Sequence, residues 1–142
     1  MKRQETIAKI MSKVVVTLNV TQTLEEAERL MKTHHIRHIP VVAKKDVIGM
    51  LSLTDLLRIS FVEAYEPVYE SVDTEVYAMY SVEQLMVKNP TLVNSSKTIK
   101  EVAEILSHNE FHALPVVDDH KLKGIVTTTD LLNYLCDLIE ED

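Results

Sequence analysis

Two short segments carry the residue types best suited to chemistry, and they stand 75 residues apart. They read Ser52-x-x-Asp55 and Thr127-x-x-Asp130. Where a helix begins at such a segment, its unpaired backbone N–H groups and partial positive charge can hold a phosphate, and the hydroxyl adds a donor. An ionised carboxylate accepts both hydroxyls of a ribose through charge-assisted hydrogen bonds. The pattern therefore suits a nucleotide.

Helix capping is the alternative interpretation of both segments, because a hydroxyl followed three positions later by an acidic residue also resembles a capping box. An Asp near a helix start contributes about 0.3–1 kcal/mol to stability, whereas a hydrogen bond to a charged group contributes about 1.5–3 kcal/mol. One such motif alone favours capping. Thr54 and Thr129 are weaker ligand candidates beside the two motifs.

The motifs belong to an internal repeat. The only two glycines of the 142-residue chain, Gly49 and Gly124, share the 75-residue spacing, and their surroundings, RHIPVVAKKDVIGMLSLTDLL and HALPVVDDHKLKGIVTTTDLL, match without a gap. Equivalent pairs continue upstream: Met11 and Met86, Asn19 and Asn94, Thr23 and Thr98, Glu26 and Glu101. The chain is a tandem of two like units, and two such halves packed face to face would leave a cleft.

Each repeat predicts the element order β-α-β-β-α. A short apolar strand comes first, Val14 to Val16 or Thr91 to Val93. Capping boxes at Thr23 and Thr98 then start amphipathic helices. A strand, a polar turn and a second strand follow. In the first repeat these are Ile36 to Ala43, Lys44 to Asp46 and Val47 to Ser52. In the second repeat they are Phe111 to Asp118, Asp119 to Lys121 and Leu122 to Thr127. The last helices begin near Leu53 and Thr128.

These patterns divide the chain into repeat 1 at residues 1–60, a connector at 61–81 and repeat 2 at 82–142. The connector predicts an amphipathic helix broken at Pro67. It holds four of the five tyrosines: Tyr65, Tyr69, Tyr77 and Tyr80. Tyrosines can stack on bases, but the acidic residues around them favour packing against the repeats or a second subunit.

The doubled unit h-P-V-V…G-h-h-[ST]-x-[ST]-D-L-L resembles the cystathionine beta-synthase (CBS) domain over about residues 10–57 and 85–136, and two in tandem resemble a CBS pair, or Bateman module. The resemblance implies an α+β fold of two β-α-β-β-α units packed through their sheets, with helices outside. It also implies a cleft that binds an adenine nucleotide: AMP, ADP, ATP, and in some members NAD or S-adenosylmethionine. Such pairs usually regulate an enzyme, channel or transporter.

The resemblance also assigns roles to residues. Ser52 and Thr127 would approach phosphate, and Asp55 and Asp130 would hold the ribose. Because both acidic residues take the family's ribose position, the doubled context favours ligand binding over capping. The proline of the h-P-V-V unit and the two residues before it would line the adenine. These are His38, Ile39 and Pro40 in one repeat and Ala113, Leu114 and Pro115 in the other. Strand alternation makes the side chains of Ile39 and Leu114 more typical of a core. Because His38 stands against Ala113, and Ala43 against Asp118, we expect the two sites to differ.

The run His34-His35-Ile36-Arg37-His38 suggests a metal, but no cysteine pair or carboxylate cluster accompanies it, so no metal site is predicted. Basic residues near the motifs are candidates for meeting phosphate, with a solvated surface as the alternative: Arg37, His38, Lys44, Lys45, His112, His120, Lys121 and Lys123. The net charge of −7 disfavours nucleic acid and anionic membranes as partners. No apolar run approaches the ~20 residues of a membrane helix.

The start of the sequence has no signal-peptide pattern, and the single cysteine, Cys136, fits a reducing cytoplasm. Cys136 stands among apolar helix residues, so we expect it to be buried and inert. With no nucleophile–base pair, no phosphate loop and no room for a (β/α)8 barrel of ~250 residues, the chain is predicted not to be an enzyme and to require no cofactor. The sequence predicts a ligand-sensing regulatory homodimer with an unknown regulated partner. The alternative is a ligand-free interaction scaffold.

Overall fold

The fold is mixed α+β, as the sequence predicts, with two sheets and helices packed on them. A computed structural model describes residues 4–13, 15–63 and 76–141. The chain divides into two compact units. The central unit is Val16–Pro90, and the terminal unit combines Met1–Val15 with Thr91–Asp142.

The central unit is built on a four-stranded sheet in the order β1-β2-β3-β4. The strands are β1 (Leu18–Asn19), β2 (His38–Ala43), β3 (Asp46–Ser52) and β4 (Val87–Lys88), and the helices are α1 (Leu24–His34), α2 (Leu53–Glu63) and α3 (Val82–Leu85). β1 runs parallel to β2, and the other neighbours are antiparallel. Its core contains Leu18, Leu24, Ala27, Met31, Ile39, Val41, Leu51, Leu56, Tyr77, Val82 and Met86.

The terminal unit is built on the hairpin of β5 (Ala113–Asp118) and β6 (Lys121–Thr127), with α4 (Ile99–Ser107) and α5 (Thr128–Glu141). A 3-10 helix, Ile7–Lys9, adds the N-terminal segment to this unit. Single bridges connect Val93 to Val116, Ser12 to Ile125 and Thr6 to Thr98. Its core contains Ile7, Val93, Ile99, Val102, Leu106, Leu114, Val116 and Val126.

Each compact unit therefore joins the helices and hairpin of one repeat to the opening segment of the other. Residues 5–12 pack with the second repeat, and residues 82–88 pack with the first. The two glycines mark these junctions. A Cβ added at Gly49 would clash with the Met86 sulfur, and one added at Gly124 would lie 2.5 Å from the Ser12 carbonyl oxygen. Glycine is present at both positions because another segment approaches its backbone closely.

The predicted helices begin where their caps place them. The Thr98 and Glu101 capping box is complete, with each side chain bonded to the other residue's backbone N–H. At α1 the Thr23 hydroxyl accepts from the Glu26 N–H, while the Glu26 carboxylate accepts from the Gln22 side-chain amide at 2.8 Å. The side-chain bond from Gln22 is the main cause that lowers the Glu26 pKa.

The first strand of repeat 1 was predicted wrongly. Val14 lies outside the described residues, and Val15 and Val16 lie ahead of the observed β1, Leu18–Asn19, whose partners are Val41 and Val42. Leu18 is fully buried, so burial beside the parallel partner outweighs the β-branched character of the valine run. In repeat 2 only Val93, the last residue of the predicted strand, makes a strand bridge.

Both hairpins are predicted correctly but are tighter than expected. The turns use two residues each, Lys44 with Lys45 and Asp119 with His120, all at positive φ. Two consecutive positive φ values match the type I′ turns that fit the twist of antiparallel strands. The strands begin at 38 and 113, two residues later than predicted, because the Arg37 and His112 carbonyls accept from helix N–H groups instead.

Much of the predicted connector, including Pro67, Tyr65 and Tyr69, lies outside the described residues. Tyr77 packs in the core of the central unit, and Tyr80 is exposed. A membrane-spanning helix is absent from the part of the chain that the structure describes.

Candidate functional site

The two hydroxyl-x-x-Asp motifs lie at equivalent strand-to-helix junctions, β3 to α2 and β6 to α5. The Leu53 N–H donates to the Arg37 carbonyl at 2.8 Å, and the Thr128 N–H donates to the His112 carbonyl at 3.0 Å. These bonds hold each helix start beside the strand that carries the proline.

Strand register brings the second group of candidates to the same places. His38 pairs with Ser52 across β2 and β3, and Ala113 pairs with Thr127 across β5 and β6. Within each unit, the residue two positions before the proline is therefore the direct strand neighbour of the motif hydroxyl. The predicted adenine-lining and ribose-phosphate positions are adjacent in each unit considered by itself.

Both motifs form reciprocal helix caps, as the capping interpretation predicts. The Asp55 N–H donates to Ser52 Oγ at 3.1 Å, and the Ser52 N–H donates to Asp55 Oδ2 at 2.9 Å. In the second motif the corresponding distances are 3.1 Å from the Asp130 N–H to Thr127 Oγ1 and 2.8 Å from the Thr127 N–H to Asp130 Oδ2.

Capping leaves other atoms of the same groups for a ligand. A hydroxyl that accepts from an N–H still has its own hydrogen to donate, and a carboxylate that uses Oδ2 still has Oδ1 with two acceptor positions. Ser52 and Thr127 are half-buried, so these atoms are not sealed in a core. Capping and ligand binding use different atoms and are compatible.

The two motifs differ in the surroundings of the aspartate. Asp55 is 9% exposed, and Arg58 Nη1 lies 3.8 Å from its Oδ1. Asp130 is half-buried, and the residue three positions later is Asn133. Oδ1 of Asp55 thus faces the guanidinium of Arg58, while the residue at the equivalent position after Asp130 is Asn133, a neutral amide.

The proline segments contribute mainly backbone. The side chains of Ile39 and Leu114 lie in the hydrophobic cores at 0% and 1% exposure, which is the core interpretation of these residues. Pro40, Ala113 and Pro115 are also buried, while His38 is half-buried. The side chains of Ile39 and Leu114 are therefore not placed to contact an adenine, and such a contact would fall mainly to backbone groups of these segments. Thr54 and Thr129 are exposed one position before the aspartates.

The histidine run is divided among three structural elements. His34 ends α1, His35 caps it in the left-handed conformation at φ 55°, and His38 begins β2. Three or more metal-ligating side chains do not converge anywhere among the residues that the structure describes. The other basic candidates, Arg37, Lys44, Lys45, His112, His120, Lys121 and Lys123, are exposed.

The expectation that Cys136 is buried is wrong. Cys136 is exposed on α5, a helix that has none of its residues fully buried in this chain. Apolar neighbours in sequence did not predict burial here because the apolar stripe of α5 is itself largely exposed.

Two polar contacts of the terminal unit were not predicted. The Ser95 hydroxyl and N–H donate to Asp118 at 2.6 and 2.9 Å, and they hold the pKa of that carboxyl below its ordinary value. The Tyr134 hydroxyl donates to the Glu5 carboxylate, and this bond is the main cause that raises the pKa of Tyr134 to about 12. For the contact of Ser95 with Asp118, the sequence signal was the difference between the repeats, since Asp118 stands where the first repeat has Ala43.

Comparison with known proteins supports the family resemblance. The CBS domain profile matches two segments, residues 7–61 and 82–137. The chain belongs to the CBS domain family. The two matches coincide with the two repeats and together span most of the sequence.

Similar proteins include one curated relative and two crystal structures. Protein MJ1225 of Methanocaldococcus jannaschii is 25% identical over 131 residues, 92% of this chain, and the chain spans 47% of its length. The crystal structure of CBSX2 in complex with AMP matches with a TM-score of 0.76 at 23% identity, covering 95% of this chain and 98% of that one. The CBS domain pair of protein MJ0100, in complex with 5′-methylthioadenosine and S-adenosyl-L-methionine, matches with a TM-score of 0.78 at 21% identity, covering 94% and 97%.

Proposed function

We propose that this CBS pair is a regulatory module that senses an adenine nucleotide, bound in the cleft predicted from the repeat. The observation that carries the proposal is the doubled strand-to-helix junction, in which the cap uses neither the hydroxyl hydrogen nor the second carboxylate oxygen. CBSX2 was crystallised with AMP, and the MJ0100 pair with two adenosine derivatives. All three ligands contain an adenosyl group with a ribose diol, which a carboxylate can recognise.

In this proposal each atom of the junction has one role. Oδ1 of Asp130 or Asp55 accepts from the two ribose hydroxyls, and the hydroxyl of Thr127 or Ser52 donates to a phosphate oxygen. The N–H groups at the helix start add a favourable partial charge for that phosphate. Backbone groups of residues 38–40 and 113–115 meet the edge of the adenine.

Sensing requires only that the nucleotide bind one arrangement of the protein more tightly than another, since a ligand shifts a conformational equilibrium by its differential affinity. The module would report this shift to a regulated protein, as a homodimer and without catalysing a reaction. AMP, ADP and ATP are the first ligands to test, followed by NAD and S-adenosylmethionine.

A thermal-shift series with these five compounds and GTP, with and without magnesium, tests the proposal. A ligand that binds only the folded protein stabilises it by about 2.7 kcal/mol at 100 times its Kd, so a specific adenine ligand raises the Tm clearly. Stabilisation by at least one adenine compound and by no equal amount of GTP is the expected result. An unchanged Tm with every compound contradicts nucleotide sensing.

Asp130 variants separate ligand binding from capping. We expect Asp130→Asn to keep most of the cap, because the amide oxygen still accepts from the Thr127 N–H, and to lower AMP affinity ten-fold or more, because the charged diol acceptor is lost. Asp130→Ala removes both the helix cap and the charged acceptor for the ribose diol. Isothermal titration with AMP and thermal unfolding check the two effects. Equal affinity in Asp130→Asn and the wild type would leave the carboxylate only its capping role.

A second candidate function, a paired interaction scaffold, is favoured by the exposed apolar stripe of α5. Leu132, Leu135 and Ile139 are 55%, 51% and 64% exposed, and all three lie on one side of the helix at helical spacing. Such a stripe is typical of a surface that another protein covers. A homodimer formed through this stripe is compatible with sensing, whereas a scaffold without ligand is not.

We expect Leu135→Glu to convert the homodimer to a monomer, because it would bury an unpaired charge at the centre of the stripe. Sedimentation velocity at several protein concentrations measures the change. Glu140→Gln, an exposed change on the same helix, is the control and should leave the sedimentation coefficient of the wild type. A wild-type protein that sediments as a monomer at all concentrations contradicts the homodimer.

A further inference from the structure

The two candidate ribose carboxylates are not equally available. Asp55 and Asp130 form the same cap with Oδ2, so the difference lies at Oδ1. Arg58 Nη1 lies 3.8 Å from Oδ1 of Asp55, whose side chain is only 11% exposed. Asp130 is more exposed, and Asn133 takes the place of the arginine one helical turn later.

We propose that the Thr127/Asp130 junction is the tighter site for the ribose diol, and that Arg58 is the residue that weakens the equivalent junction at Asp55. This ranking rests on the proposed function and adds the order in which the two junctions bind nucleotide. With this ranking, the module responds to low nucleotide concentration through its second repeat and to higher concentration through its first.

The physical reason is competition for one oxygen. A diol that binds Asp55 must displace the guanidinium from Oδ1 and must reach a carboxylate that is almost enclosed, whereas among the described residues no cation lies within ion-pair distance of the Asp130 carboxylate. An ion pair whose cation is solvated contributes up to about 1 kcal/mol, which corresponds to about a five-fold change in affinity. Because most of the Arg58 side chain is exposed, at 70%, the arginine can leave the carboxylate when ligand is in excess.

Arg58 could instead strengthen nucleotide binding at the first junction. An arginine beside the junction could attract the negative charge of the phosphate and strengthen binding. The geometry favours competition, because the guanidinium is placed at the carboxylate oxygen that would hold the ribose. The sign of the change on removing Arg58 therefore decides between the two roles.

A reciprocal exchange of the two residues in the 142-residue protein, measured by isothermal titration with AMP, tests this ranking. The wild type is expected to show a tight binding event that Asp130→Asn weakens ten-fold or more and that Asp55→Asn leaves unchanged. Arg58→Asn should tighten the weaker event about three- to five-fold, and Asn133→Arg should weaken the tight event by a similar factor. Arg29→Asn, which removes an exposed arginine from α1 of the same unit, controls for the change in net charge.

Loss of the tight event in Asp55→Asn, or weaker binding in Arg58→Asn, would overturn the ranking while leaving nucleotide sensing intact. No AMP binding by any protein of the series, together with no stabilisation by the other adenine compounds, would overturn the proposed function and the ranking with it. Adenosine, which has the ribose but no phosphate, is a second probe that separates ribose binding from phosphate binding. We expect Arg58→Asn to tighten adenosine binding as well, since the arginine competes with the ribose.

Discussion

Replacing Ile7 with alanine lowers the free energy of unfolding by about 2–5 kcal/mol, the range measured for large-to-small substitutions at buried aliphatic positions. Ile7 is fully buried in the terminal unit, in one core with Leu114 and Val126, although more than 80 residues separate it from them in sequence. The loss combines the transfer free energy of the removed carbons with the cavity left between the N-terminal segment and the second repeat.

Urea unfolding followed by far-UV circular dichroism measures this loss. Leu92→Ala, at an exposed position of the same unit, is the matched control, and we expect it to change stability by less than about 0.5 kcal/mol. If both variants unfolded at the wild-type urea concentration, the N-terminal segment would not belong to the core of the terminal unit.

This packing of the opening segments is the part of the fold that the sequence could not predict. Helix starts depend on local signals, and Thr98 with Glu101 predicts one correctly because the cap bonds only its own turn. The hairpins are equally local, since a polar pair between two apolar runs indicates where the strand reverses. The partner of Ile7 or Met86 depends on residues far along the chain, and no local pattern carries that information.

The internal repeat itself was informative but incomplete. It related Met11 to Met86 and Gly49 to Gly124 correctly as equivalent residues. It could not show that Met86 packs on Gly49 and Met11 on Gly124, so that the contact joins opposite repeats. Equivalence in sequence shows that two residues have the same surroundings, but it does not identify which segment provides them.

The candidate site was predictable to the level of its motif. Ser52, Asp55, Thr127 and Asp130 were identified from spacing, and the structure brings each pair together at a helix start. The ion pair of Arg58 with Asp55 was not predicted, because Arg58 lies outside the motif, one turn into α2. A comparison of charged positions three residues after each aspartate would have found the exchange of Arg58 for Asn133.

The glycines provide the second large stability effect. We expect Gly124→Ala to lower the free energy of unfolding by about 2–3 kcal/mol, and Gly49→Ala by about 1 kcal/mol or less, within the range for overpacked cores. The added Cβ at Gly124 meets the Ser12 carbonyl at 2.5 Å, and that residue makes two backbone hydrogen bonds with Ile125, at 2.9 and 3.0 Å. Backbone held in this way cannot move without losing both bonds.

At Gly49 the nearest atoms belong to the Met86 side chain, which can adopt another rotamer. A double-mutant cycle separates the two situations. Met86→Ala should relieve Gly49→Ala, so that the two changes together cost less than their sum, whereas Met11→Ala should leave most of the cost of Gly124→Ala because the carbonyl of Ser12 remains. Equal relief in both pairs would mean that side chains alone require the glycines, and that the bridge between Ser12 and Ile125 adapts freely.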